Sequence, residues 1–163
     1  MACPPFDWRP ARADEVPVLA AIYGEAARRL GPLVYSQEQS LAWASFAADA
    51  EGFRRYVIDN DTWVACAAAS GDVLGFCGVG MHDGVCEIHS LYVAADRTRS
   101  GIGREMLART LARARGAGAT RFAAWVTPFS RPLFLAAGFA LTQVVQAPFA
   151  GAMFERYRVE RDF

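Results

Sequence analysis

A chain of 163 residues can bury one real core but is short for two ordinary domains, so residues 1–163 are expected to form a single domain. Hydrophobic residues make up 53% and charged residues 21%, which excludes a disordered chain, and 17 Lys+Arg against 17 Asp+Glu remove the overall electrostatic case for nucleic acid. No apolar run reaches the ~18–20 residues of a membrane span, and MACPPFDWRP lacks the basic-then-apolar order of a secretory leader, so a cytoplasmic protein with no membrane partner is expected.

Phe6 to Arg12 reads as a first strand. Asp14 then offers an N-cap, and Val16, Leu19, Ala20, Tyr23 and Ala27 recur at helical spacing as far as Arg29–Gly31, with Pro17 tolerated in the first turn. Ser36-Gln37-Glu38-Gln39 has the form of a capping box ahead of Leu41, Trp43 and Phe46, and Phe53 to Ile58 continues as another helical piece. From Thr62 the period changes to that of strands: Thr62–Ala69, Val73–Met81 and Val85–Val93, antiparallel in sequence. Asp83-Gly84 marks the turn between the last two, with His82 as an exposed hairpin residue. Cys3, Cys66, Cys77 and Cys86 show no chelating spacing and three lie in strand-like runs, which predicts reduced core thiols and no metal site.

The third strand carries Glu87, His89 and Ser90 into an apolar pattern and feeds an Arg/Ser/Gly loop and a helix that begins near Gly101. Glycines admit a ligand close to the backbone, and the free N–H groups of a first helical turn favour negative charge, so this order of elements suits a small anion such as a phosphate. Ile102, Met106, Leu107, Thr110, Leu111 and Ala114 share one face of that helix, which ends at Gly116-Ala117-Gly118. Arg121–Thr127 is then a strand parallel to the preceding one, because a helix joins them. Arg131-Pro132 opens a short helix ended by Gly138, and Phe139–Val145 and Met153–Val159 close the chain as strands, the last of which offers an edge for a homodimer. The fold class is α/β (α+β), with a mixed sheet, an antiparallel first half and about four flanking helices.

This order, with LYVAADRTRSGIGREML and the downstream PLFLAAGF, resembles the GNAT superfamily of acyl-CoA-dependent N-acetyltransferases, over most of the chain from Arg9 to about Val159. Its ending looks like that of a group of small bacterial acetyltransferases. The resemblance implies a twisted mixed sheet that splays beside the βαβ unit, with acetyl-CoA as co-substrate in the splay and no metal. It implies that Arg99, Ser100, Gly101, Ile102, Gly103 and Arg104 hold the pyrophosphate, and that Leu91, Tyr92 and Val93 align the thioester through backbone N–H groups freed by the splay. Ser130 opens the short helix, as a cap or as a contact to the cofactor, and Phe134 lies beside it.

Two positions depart from the family pattern. Thr98 stands where an Arg or Gln usually opens the loop, and Phe134 stands where many members place a tyrosine as general acid. The leaving thiolate then departs unprotonated with help from other donors, or takes a proton from Tyr92, Tyr35 or a water.

A lysine-like amine has a pKa near ~10.4 and must lose a proton before it attacks a thioester. Glu87 and His89 lie two apart on one strand, on the same face and roughly 7 Å apart, so either suits the base, with a solvated or ion-paired residue as the alternative. Tyr35, Trp43, Trp125 and Thr127 are candidates for the acceptor side, against ordinary packing. The expected function is an N-acetyltransferase acting on a primary amine of a small molecule or peptide by direct attack in a ternary complex. The alternative is an acyl-CoA-binding sensor that catalyses little.

Overall fold

The computed structural model describes residues 2–163. Strands β1 (Phe6–Pro10), β2 (Asp61–Ala67), β3 (Val73–His82) and β4 (Val85–Val93) pair antiparallel in succession. β4 pairs in parallel with β5 (Arg121–Val126), and the closing hairpin of β6 (Ala140–Phe149) and β7 (Ala152–Asp162) places β7 between β5 and β6. Helices α1 (Val16–Leu30), α2 (Gln37–Ser45) and α3 (Ala50–Ile58) cover one face of this seven-stranded sheet, with Leu19, Phe53 and Phe76 in the core beneath them. Helices α4 (Ile102–Gly116) and α5 (Arg131–Ala136) cover the other, over Leu107, Phe122 and Val159. Five helices rather than four result because a 3-10 turn at Phe46–Ala48 separates α2 from α3, and the Asp49 side chain caps α3 by accepting from the Gly52 N–H at 3.0 Å.

Local chemistry accounts for most boundaries. The capping box forms as read: Ser36 Oγ accepts from the Gln39 N–H at 3.1 Å and Gln39 Oε1 from the Ser36 N–H at 2.9 Å. Asp83 and Gly84 take φ of 48° and 77°, the left-handed pair that a two-residue hairpin requires. Gly138, at φ 87°, ends α5 in a Schellman turn: the Phe139 N–H donates to the Phe134 carbonyl at 3.1 Å, and the two rings meet edge to face at 5.1 Å.

Three boundaries differ. Asp14 does not cap α1; a 3-10 turn at Ala13–Glu15 precedes it, and Glu15 reaches back to accept from the Arg12 N–H at 2.8 Å while Arg9 grips its carboxylate with both guanidinium nitrogens. β2 ends at Ala67 because the Gly71 N–H returns to the Ala67 carbonyl in a turn. β6 runs on to Phe149 through Pro148, which an outer edge strand tolerates since it has no second neighbour to receive an N–H. Leu141 and Val144 are exposed on that edge. No helix among the described residues is long and apolar enough to cross a membrane.

The four cysteines are free thiols, and burial pushes Cys77 up to about 12 and Cys86 up to about 11, so these two are inert core groups.

The Arg9 hydrogen bonds hold the Glu15 carboxylate below the ordinary range, more than offsetting the opposing effect of its burial. A lowered carboxylate pKa contributes stability that is present above the unfolded value of ~4.3 and is lost as pH falls through the folded one. Glu15→Gln should therefore lower unfolding free energy by about 1–2 kcal/mol at pH 7 in urea titrations, with the difference from the parent shrinking toward zero as the pH is taken well below 4.

Candidate active site

The site begins with one irregularity in the sheet. In the β3–β4 ladder Gly78 faces Ser90 and Val79 faces Ile88, so His89 is an extra residue, a β-bulge. The Gly78 N–H, deprived of a backbone partner, donates to Ser90 Oγ at 2.7 Å. Side chains before the bulge alternate as a strand should, with Cys86 and Ile88 in the α4 core; after it Leu91 packs on that core while Tyr92 joins the opposite one. The parallel pairing with β5 ends at the same place, at Ile88 and Ala124, although both strands continue. The predicted splay is present. The Ala94 N–H donates to Leu74 on β3 at 2.8 Å, so alternation turns the amides of Leu91 and Val93 the other way, into the gap.

The loop beyond β4 is shaped by its own hydroxyls. Thr98 Oγ1 donates to the Ala95 carbonyl at 3.2 Å and Ser100 Oγ to the Arg97 carbonyl at 2.5 Å, while Arg99 and Gly101 take positive φ of 61° and 86°. The first helical bond of α4 runs from the Glu105 N–H to the Gly101 carbonyl, and no side chain caps the end. The N–H groups of Ile102, Gly103 and Arg104 are therefore left for a ligand. The positive φ of Gly101 favours glycine there, and a Cβ would also come within 3.3 Å of Cys3 Cβ. Arg99 and Arg104 have no ion-pair partner among the described residues.

A cleft of about 610 Å³ occupies the splay. Of the expected cofactor residues it is lined by Leu91, Tyr92 and Val93 on β4, by Arg99, Gly101, Gly103 and Arg104 at the loop, and by Ser130 and Phe134 on the far wall. Ser100 and Ile102 do not line it: the Ser100 hydroxyl is turned inward on the loop, and the Ile102 side chain is fully buried in the core, leaving only its amide toward the α4 end. Arg97, Phe129 and Leu133, which were not among the expected cofactor residues, also line the cleft. Ser130 does not cap α5. Its hydroxyl accepts from the Thr127 N–H at 3.1 Å and lies 3.2 Å from Thr127 Oγ1, a reciprocal clamp that sets two hydroxyls on the cleft wall.

A second cavity, of about 350 Å³, adjoins the first and shares Trp43, His89, Tyr92, Trp125, Val126 and Thr127 with it. The structure brings together all four residues expected on the acceptor side, Tyr35, Trp43, Trp125 and Thr127. Phe46 and Phe149 also line it, and Tyr23 on α1, Tyr56 on α3, and Phe154, Glu155 and Arg156 on β7 complete the walls; these last five were not recognised in the sequence. They come from elements distant in the chain and only the α1 periodicity hinted at Tyr23, as a core residue. Burial raises the Tyr35 phenol to about 12 and moves those of Tyr23, Tyr56 and Tyr92 upward as well, so all four stay neutral at physiological pH.

The two candidate bases are placed differently. Glu87 is half-buried in an ion pair with Arg158, whose Nη1 donates to Glu87 Oε1 at 2.5 Å and whose Nε donates to Glu160 Oε1 at 3.3 Å. It lines neither cavity. His89 is exposed and lines both, over Gly80, with its carbonyl fixed by the Tyr56 hydroxyl at 2.8 Å. Among the described residues no group of His, Cys, Asp and Glu could hold a metal ion.

A seven-stranded mixed sheet of this topology is shared with solved N-acetyltransferases. The chain superposes with a TM-score of 0.91 on a GCN5-related N-acetyltransferase from Rhodopseudomonas palustris, at 23% identity over 100% of this chain and 99% of that one. It superposes with a TM-score of 0.80 on the PaiA N-acetyltransferase of Thermoplasma acidophilum in complex with coenzyme A, at 14% identity over 98% and 99% of the chains. A phosphinothricin acetyltransferase from Sinorhizobium meliloti in complex with AcCoA gives 0.66, at 20% identity over 96% and 88%. These likenesses establish the fold. No curated protein sequence matches the chain. The sequence model of the acetyltransferase (GNAT) family matches residues 27–139, more than half of the chain, and the protein belongs to that family.

A Cβ on Gly80 would fall 2.8 Å from His89 Nε2, the movable end of a side chain. Gly80→Ala should thus shift the His89 ring resonances in a proton–carbon NMR spectrum while the thermal midpoint changes by less than about 4 °C.

Proposed function

We propose that the protein transfers the acetyl group of acetyl-CoA to a primary amine of a small molecule or peptide, by direct attack in a ternary complex. The end of pairing at Ile88 and Ala124 carries this reading, because it aims the Leu91 and Val93 amides into a cleft that runs from the uncapped start of α4 to an aromatic cavity. The donor set fits the co-substrate. The Ile102, Gly103 and Arg104 amides with Arg99 and Arg104 side chains would hold the pyrophosphate, and the β4 amides would polarise the thioester carbonyl. The coenzyme A and AcCoA complexes of the Thermoplasma and Sinorhizobium proteins support it, and free thiols suit a cytoplasmic site of action.

In the reaction the amine nitrogen bonds to the carbonyl carbon, the C–S bond breaks, and sulfur leaves with its electron pair. Nitrogen loses one proton and sulfur gains one. His89 is the group placed to take the first, directly or through a water, since it stands in the wall common to both cavities, whereas Glu87 is engaged by Arg158. The second proton has no phenol at Phe134 to come from, so sulfur leaves as a thiolate and takes its proton from solvent.

Calorimetry with acetyl-CoA should show sub-millimolar binding, weakened about tenfold or more, or ~1.4 kcal/mol, by Arg104→Glu. No binding in that range would sink the assignment. Phenylalanine at position 134 favours a second reading, a binding module that catalyses little; it predicts cofactor binding with no acetylated product across an amine library, and one efficiently acetylated amine rejects it.

His89→Gln should lower kcat by about 10²-fold or more with acetyl-CoA affinity changed less than about twofold, while Glu87→Gln should cost less than about tenfold in kcat. The reverse ranking in steady-state kinetics would return the base role to Glu87.

A further inference from the structure

We infer that the acceptor is an amine that also carries a carboxylate on an aromatic or large apolar body, and that Arg156 reads the carboxylate. The inference takes from the proposed reaction only that the smaller cavity is the acceptor's. Its walls are aromatic on several sides: Tyr23, Tyr35, Phe46, Tyr56, Phe149 and Phe154. With the phenols neutral, the ionisable groups left in its lining are His89, Glu155 and Arg156.

Arg156 is the cation among them, and it makes no ion pair among the described residues. Along β7, Phe154, Arg156 and Arg158 share the face that looks toward Trp125, and the Arg156 guanidinium lies 5.3 Å from the Trp125 ring centroid. Arg158 spends its charge on Glu87 and Glu160, but Arg156 has no carboxylate partner among the described residues. Glu155, though beside it in the chain, belongs to the opposite face of the strand, where the Tyr157 hydroxyl and Gln146 Nε2 both donate to its carboxylate. The field in the cavity agrees. After burial and neighbouring phenols, Arg156 acts to lower the Tyr35 phenol, and it acts on Tyr92 in the same direction.

A polyamine or an aminoglycoside brings several positive charges and would meet a guanidinium, while the one carboxylate in the lining, Glu155, already accepts from Tyr157 and Gln146. An anionic amine finds a planar bidentate donor stacked on an indole, and its apolar body finds aromatic faces. At about 350 Å³ the cavity is of small-molecule size.

The test compares phenylalanine and tryptophan with phenethylamine, phenylalaninamide and spermidine, by acetylation with acetyl-CoA and, separately, by quenching of intrinsic tryptophan fluorescence, since Trp43 and Trp125 line the cavity. Carboxylated amines should exceed their decarboxylated or amidated counterparts by about tenfold or more in kcat/KM. Arg156→Glu should abolish or invert that preference, and Arg156→Lys should keep part of it. Equal or better use of phenethylamine or spermidine by the parent protein, a preference unchanged in Arg156→Glu, or no binding of either amino acid would each overturn the inference. Binding of an amino acid that is lost in Arg156→Glu, with no amine acetylated, would uphold it and sink the acetyl-transfer reading instead.

Discussion

The site depends on a single extra residue in β4. Parallel strands exchange evenly spaced, slanted hydrogen bonds, which a bent strand cannot continue. The bulge at His89 bends β4 and increases its twist, and the ladder with β5 stops one residue earlier, at Ile88. The same insertion reverses the facing of everything after it. Without it Leu91 would turn to the α1 side and Tyr92 to α4. With it, Tyr92 stacks on Phe76 at 5.4 Å and closes on Tyr23 at 4.7 Å, while Leu91 seals the α4 core. One irregularity thus opens the cleft, frees two amides and sets a wall between the two cavities.

Charge is partitioned around that opening. At the α4 end arginines and an uncapped helix start make a positive anchor. In the middle the walls are aromatic and neutral, where oriented amides act with less competition from water. Beyond, Arg158 is held between two carboxylates while Arg156 is not, so two arginines two residues apart have different duties: one fixes β7 to β4 across the sheet through Glu87, the other faces the cavity. Glu87 is therefore a tie from β4 to β7 across β5, just before β4 and β5 part.

The parts of this arrangement that were legible in the sequence are those that local chemistry decides. Asp83-Gly84, the Ser36 to Gln39 box, Gly101 and Gly138 each demand a particular backbone and obtained it. The α4 anchor was legible in the glycines and helix start near Gly101, and the splay only as what the family resemblance implies. The bulge was not: Glu87 and His89 do share a face, as alternation says, but Ser90 shares it too, and nothing in EIHSLYV marks the slip. Nor was the Arg158 bond to Glu87, between residues 71 apart in sequence, which decides how much of that carboxylate is free. The aromatic cavity draws on α1, α2, α3, β4, β5 and β7, so its composition exists only after folding. Asp14 failed as a cap because Arg9, five residues upstream, recruits Glu15 and begins a 3-10 turn first.

Phe134 has a structural task that explains its place. It is the residue whose carbonyl receives Phe139 in the turn that ends α5, and its ring is fully packed against Phe139. Its lack of a hydroxyl matters less for acetyl transfer than it first suggests. A thiol with a pKa near ~8.5 leaves as a thiolate at modest cost near neutral pH, whereas an amine with a pKa near ~10.4 is almost wholly protonated there. The deficit of about two pKa units, ~3 kcal/mol, lies on the side of the base. On the proposed reading, a site with His89 in the wall of the aromatic cavity and no phenol beside the sulfur keeps the group that the harder proton transfer requires.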